Sequence, residues 1–170
     1  MLKTLLRRRV AVPLLALGLI AGSLPFADAA VNYAATVATG RLNVVAALIN
    51  SQTLAAPTGT ATAGQLVIGT SALSGSTGVL VTIPLAAPCC TVSGKTLTLA
   101  GTPLSSNPTT SGTAALAEIR NNAGTTIASG LTVGLAGSGA GGTNPDIVVN
   151  TATVATGVPF TVNSGVINHP

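Results

Sequence analysis

The chain has 170 residues, of which 47% are hydrophobic, 6% charged and 2% aromatic, so its apolar content comes from Ala, Val, Leu and Ile. That length suits one domain with one core, and so few ionisable groups exclude both a charge-rich disordered chain and a coiled coil built on Glu, Lys and Arg. Three side-chain carboxylates and one His in the whole chain leave little material for acid and base chemistry.

The net charge of +4 is unevenly placed. Lys3, Arg7, Arg8 and Arg9 against Asp28 give residues 1–29 a charge of 4 − 1 = +3, whereas Arg41, Lys95 and Arg120 against Glu118 and Asp146 leave residues 30–170 at 3 − 2 = +1. Three scattered cations do not converge on phosphates, and no nucleic-acid partner is expected of the main body.

The first 29 residues read as a signal-like leader. Lys3 to Arg9 is cationic, Val10 to Ile20 is apolar apart from Pro13, and Ala27-Asp28-Ala29 has the small-x-small form of a cleavage site. The apolar run is shorter than the roughly 20 residues that a membrane-spanning helix needs. In residues 30–50 the period changes. Tyr33, Val37, Val44, Val45, Leu48 and Ile49 recur at helical spacing among polar residues, which predicts an amphipathic helix or arm, with Gly40 as a weak point, that packs on the following domain. Residues 51–64, mainly Ala, Thr, Gly and Pro, predict a linker.

From residue 65 to 170 the chain is strand-like. Gln65–Thr70, Gly78–Leu85, Cys89–Ser93, Thr96–Ala100, Thr113–Arg120, Thr125–Gly134, Asp146–Asn150 and Val158–Ile167 are rich in Val, Ile, Leu or Thr and bounded by turn residues. Ser93-Gly94-Lys95 and Asn121-Asn122-Ala123-Gly124 predict hairpin turns, and the Pro- and Ser-rich stretch Gly101–Gly112 predicts a loop. The 20 Gly, 10 Pro and 25 Thr of the chain fit the same picture. The fold expected is mainly β, an antiparallel β-sandwich or jelly roll of about eight strands with an N-terminal helix.

Strand alternation places Ala115, Ala117 and Ile119 on one face and Leu116, Glu118 and Arg120 on the other, which predicts Glu118 and Arg120 as a solvated pair on the wetter face. Charged gatekeepers that protect sheet edges are nearly absent, as suits a protein that lives packed against neighbours. Cys89 and Cys90 are adjacent and are the only cysteines. Neighbours on a strand point to opposite faces, so a bond between them is disfavoured, and at least one is expected to be a small buried apolar residue. In an exported chain, an intermolecular disulfide is the alternative.

Several strings imitate catalytic motifs without meeting their requirements. Ser93-Gly94-Lys95-Thr96 resembles the end of a phosphate-binding loop, but Cys89 stands where its first Gly belongs. Gly137-Ser138-Gly139-Ala140-Gly141-Gly142 matches the dinucleotide glycine pattern, yet it runs into Thr143-Asn144-Pro145-Asp146 and a strand, so a surface loop is expected. A hydrolase triad would have to draw on His169 with Asp146 or Glu118, and no nucleophile elbow supports it. Glu118 with Asp146 is the only pair of carboxylates in the main body on which glycoside cleavage could be built. No catalytic, cofactor-binding or metal-ligating residue is predicted, the cysteine pair lacks further ligands for a metal, and no small-molecule ligand is indicated.

Asn32-Tyr33-Ala34 leading to Arg41 and Ile49, Leu66-Val67-Ile68-Gly69-Thr70, Gly78 to Leu85, Gly112-Thr113-Ala114-Ala115 with Glu118-Ile119-Arg120, and Ala123-Gly124-Thr125 resemble successive parts of small virion-associated proteins of tailed bacteriophages. Gly130 to Gly134, Asp146 to Asn150 and the ending Ile167-Asn168-His169 continue the likeness, which spans about residues 31–169. The resemblance implies a non-enzymatic structural protein of a virion, a head decoration or tail component, whose partners are copies of itself and other virion proteins. It carries over no catalytic residue. The chain departs from such proteins in its leader and its cysteine pair. The alternative is an exported bacterial β-sandwich protein for surface assembly or binding. In that reading the chain meets a membrane only through the leader and is secreted, periplasmic or at the cell surface after cleavage near Ala29.

Overall fold

The structure is a computed structural model and describes residues 33–53 and 59–169. The leader, the first residues of the predicted arm and Leu54–Thr58 of the predicted linker lie outside the described residues.

Among the described residues, one α-helix and a large β-sheet form most of the body. Helix α1 (Ala35–Ile49) runs unbroken through Gly40. It ends in a Schellman closure: the Ser51 N–H donates to the Leu48 carbonyl at 3.1 Å and the Gln52 N–H to the Ala47 carbonyl at 2.9 Å, with Ser51 taking the left-handed conformation at φ 57°. The helix packs on the sheet through part of the stripe that its spacing predicts: Ile49 is buried and Val45 packs against the core. Ala38, Leu42, Ala47 and Ile49 are buried, whereas Val37 and Val44 face outward at 45% and 42% exposure. Small Ala side chains let the backbone approach the sheet closely, so Ala38 and Ala47 go inside with Leu42 and Ile49, while Val37 and Val44 are left on the surface.

The strands are β1 (Gln65–Ser74), β2 (Thr77–Pro84), β3 (Cys90–Ser93), β4 (Thr96–Leu99), β5 (Leu104–Ser106), β6 (Gly112–Thr113), β7 (Leu116–Arg120), β8 (Thr126–Gly134), β9 (Ile147–Val149), β10 (Thr153–Val154) and β11 (Phe160–Asn168). Nine of them form one mixed sheet in the order β2-β1-β7-β8-β9-β11-β4-β3, with β5 also on β11, while β6 and β10 pair separately. The eight predicted strand segments all contain strand. The additional elements are short: β5 lies inside the predicted Pro- and Ser-rich loop, and β6 and β10 pair two residues with two. Every pairing is antiparallel except β8 with β9, which run parallel over Val133↔Ile147 and Gly134↔Val148.

Both predicted hairpin turns form. Ser93 pairs with Thr96 around Gly94 at φ 57°, and the Asn121 carbonyl accepts from the Gly124 N–H at 3.0 Å while its side chain accepts from the Thr125 N–H at 2.9 Å.

The sheet folds around a single sandwich-like core that takes Leu66, Ile68, Leu80, Ile83 and Ile119 from one half, Leu97, Leu99, Ile147, Val149, Phe160 and Val162 from the other, and Leu42 and Ile49 from the helix. These are mostly branched aliphatic side chains at alternate strand positions, which pleat geometry delivers to one face. Among the described residues, no helix is long and apolar enough to cross a membrane.

Candidate functional site

The few ionisable residues of the body are mostly engaged. Glu118 is buried at 7% exposure, contrary to the solvated pair expected for it. Its Oε2 accepts from Arg120 Nη2 at 2.8 Å, Arg120 Nε at 3.2 Å and Thr126 Oγ1 at 3.2 Å, and Arg120 Nη2 also donates to the Gly75 carbonyl. The burial comes from the β1–β2 hairpin. Its pairing shifts register on both sides of Gly69, and a Cβ on Gly69 would meet the Gly78 carbonyl oxygen at 2.5 Å and the Leu73 side chain at 2.7 Å. Gly75 near the hairpin tip thus comes back beside Arg120 at the end of β7, where the guanidinium holds it next to buried Glu118.

The other charges have separate partners. Arg41 stacks over the Tyr33 ring, with Cζ 3.6 Å from the centroid, and His169 meets the same ring edge-on at 5.5 Å. Asp146 Oδ2 accepts from the Thr132 N–H and Oγ1, both at 2.8 Å, and the Asp146 N–H donates back to Thr132 Oγ1 at 3.0 Å. Glu118, Asp146 and His169 therefore sit in different settings, and no triad or carboxylate pair is assembled from them. Among the described residues, no group of three or more His, Cys, Asp and Glu could hold a metal ion.

Cys89 and Cys90 correct the pairing expected for them. Their sulfurs are joined, and both residues are buried. Cys89 precedes β3 rather than lying in it, so strand alternation does not hold the two side chains apart. The Cys89 N–H donates to Oδ1 of buried Asn50 at 2.9 Å, and the Cys89 carbonyl accepts from the Ala100 N–H at 2.8 Å. Asn50 thereby ties the end of α1 to the start of β3. The burial expected for at least one of the pair holds for both.

The glycine run forms the expected surface loop. Residues 135–146 connect β8 to β9 and are closed by their own bonds: Gly137 N–H to Asn144 Oδ1 at 2.8 Å, Gly139 N–H to the Thr143 carbonyl at 2.8 Å, and Thr143 Oγ1 to the Ala140 carbonyl at 2.9 Å. Gly137, Gly141 and Gly142 take φ of 73°, 70° and 80°, which the turns require. This loop forms a ridge between two clefts that share Thr143, Asn144 and Pro145 as lining. The first, about 330 Å³, continues over Asp146, Val148, Ser164, Val166 and Asn168; the second, about 430 Å³, runs toward Ala115, Thr132 and Ser138.

The first cleft owes its lining to a bulge. Pairing of β11 with β9 shifts register between Val162 and Ser164, so the inward series Phe160, Val162 resumes at Gly165. Ser164, Val166 and Asn168 consequently face outward beside Val148. Uninterrupted alternation of β11 would have put Ser164 and Val166 in the core, so the strand pattern alone does not mark them as cleft residues. Gly165 is required because a Cβ there would meet Leu99 Cδ1 at 2.5 Å.

No protein-family model, curated protein or solved structure matches the chain.

Proposed function

We propose that the chain is a non-enzymatic structural protein of a phage particle, a head decoration or tail component, that works by packing in an ordered assembly with copies of itself and other virion proteins. The observation that carries this reading is the near-absence of unengaged charge on the body. Of its five charged residues, Glu118 and Arg120 pair with each other, Arg41 lies on Tyr33, and Asp146 is held by Thr132. The two strands at the ends of the sheet path, β2 and β3, contain no charged residue, and Val37, Val44, Leu135 and Val158 are exposed. Neighbouring molecules can cover such a surface without burying unpaired ions, whereas a free monomer usually guards its strand edges with charge. Mass spectrometry of purified particles should find the protein in constant proportion to the major head or tail proteins. Particles that lack it overturn the reading.

A second reading rests on its own observations. The signal-like residues 1–29 and the joined sulfurs of Cys89 and Cys90 suit an exported bacterial β-sandwich protein in an oxidising compartment. That reading requires a mature N-terminus at Ala30. An intact mass that retains Met1 refutes it.

A further inference from the structure

We infer that the cleft between the 143–146 segment and the outer face of β9 and β11 is a binding site for a neutral sugar ring. Its volume, about 330 Å³, lies at the low end of small-ligand sites and accommodates one pyranose. Its lining selects by chemistry. Among the described residues, no Lys, Arg or His lines it and the one charged residue is Asp146, which disfavours an anion. A hard cation needs six or more oxygens, and Asp146 has already committed Oδ2 to two bonds from Thr132.

What the cleft does offer is both donors and acceptors beside aliphatic side chains. Oδ1 of Asp146 accepts no bond among the described residues and remains an acceptor. Asn144 Oδ1 is occupied by the Gly137 N–H and Asn168 Oδ1 by Thr96 Oγ1 at 3.0 Å, which leaves the amide N–H groups of both as donors. The Ser164 hydroxyl, unbonded among the described residues, can serve as either. Val148, Val166 and Pro145 supply the apolar surface against which the C–H face of a ring can lie. A carboxylate acceptor, two carboxamide donors and a hydroxyl match the vicinal hydroxyls of a pyranose, each of which donates and accepts. Among the described residues, no aromatic side chain lines the cleft to stack on the ring, so three or four hydrogen bonds competing with water set the dissociation constant at roughly 1–10 mM.

The site is independent of the particle reading, and its failure leaves that reading untouched. The test is a titration of the isotope-labelled full chain, followed by amide chemical shifts, with D-glucose, D-galactose and N-acetyl-D-glucosamine in turn and with sorbitol as an open-chain polyol. At least one sugar should give saturable shifts confined to residues 143, 144, 146, 148, 164, 166 and 168. Ser164→Val, which replaces its hydroxyl by methyl groups at a partly exposed position, should weaken that binding at least fivefold while leaving the remaining spectrum in place. Should that variant perturb the whole spectrum, Asn168→Ala, at an exposed position, serves for the same comparison. The absence of saturable shifts with every sugar, equal shifts with sorbitol, or undiminished affinity in the variant with an intact spectrum overturns the inference.

Discussion

Replacing Arg120 by Ala distinguishes a surface ion pair from the latch that the folded hairpin makes of it. An exposed pair contributes roughly 0.2–1 kcal/mol, because water competes for both partners. Removing one member of a fully buried pair costs about 3–5 kcal/mol, because an uncompensated charge is left behind. The Arg120 and Glu118 side chains are 16% and 9% exposed, which puts this pair nearer the buried limit. Two details adjust the figure. Thr126 Oγ1 still donates to Glu118 in the variant, which softens the loss, but the Gly75 carbonyl loses its guanidinium donor. The expected destabilisation is about 2–3 kcal/mol, or a fall in Tm of roughly 8–12 °C for a domain of this size. Urea unfolding followed by far-UV circular dichroism measures it, and the loss should change little between low and moderate salt. Glu118→Gln in the Arg120→Ala background should recover part of the loss, since it removes the stranded charge. A loss below about 0.5 kcal/mol for Arg120→Ala would refute the latch and return the pair to the solvent.

Two further outcomes follow from the buried junction of helix and sheet. Asn50→Ala leaves the Cys89 N–H without its acceptor and should cost about 1–3 kcal/mol in the same unfolding assay; stability within error of the parent would show that Asn50 does not join α1 to β3. With both sulfurs buried and bonded to each other, nonreducing electrophoresis should give a monomer band, and a covalent dimer would contradict that pairing.

Local chemistry made the strands readable. Asn121 to Gly124 and Ser93 to Lys95 mark their turns by residue type, and the segments between them carry the branched aliphatic residues that pleated faces bury. What escaped reading depends on contacts distant in sequence. The setting of Glu118 requires Gly75 to come back beside a strand some 40 positions on, and neither segment announces the other. The helix departs from its hydrophobic spacing at Val37 and Val44, because close approach to the sheet favours Ala38 and Ala47. Three-residue β5 lies within Pro- and Ser-rich sequence and is a strand only because β11 runs beside it. The cleft was invisible for the same kind of reason, since one extra residue in β11 reverses which of its side chains face out. In the sequence Asp146 reads only as an acid, since its bonds to Thr132 depend on the parallel pairing of β8 and β9.

That pairing has a mechanical side. The half of the sheet that ends in β8 and the half that begins with β9 are sewn together by two residue pairs, so the joint resembles the spine of a book more than a continuous page. Asp146 is the stitch at its end, gripping Thr132 through both backbone and side chain. The same carboxylate is the acceptor in the adjoining cleft. Evolution can therefore reshape the cleft through Ser164, Asn144 or Asn168 at small expense, but any change at Asp146 would also loosen the binding of the two covers.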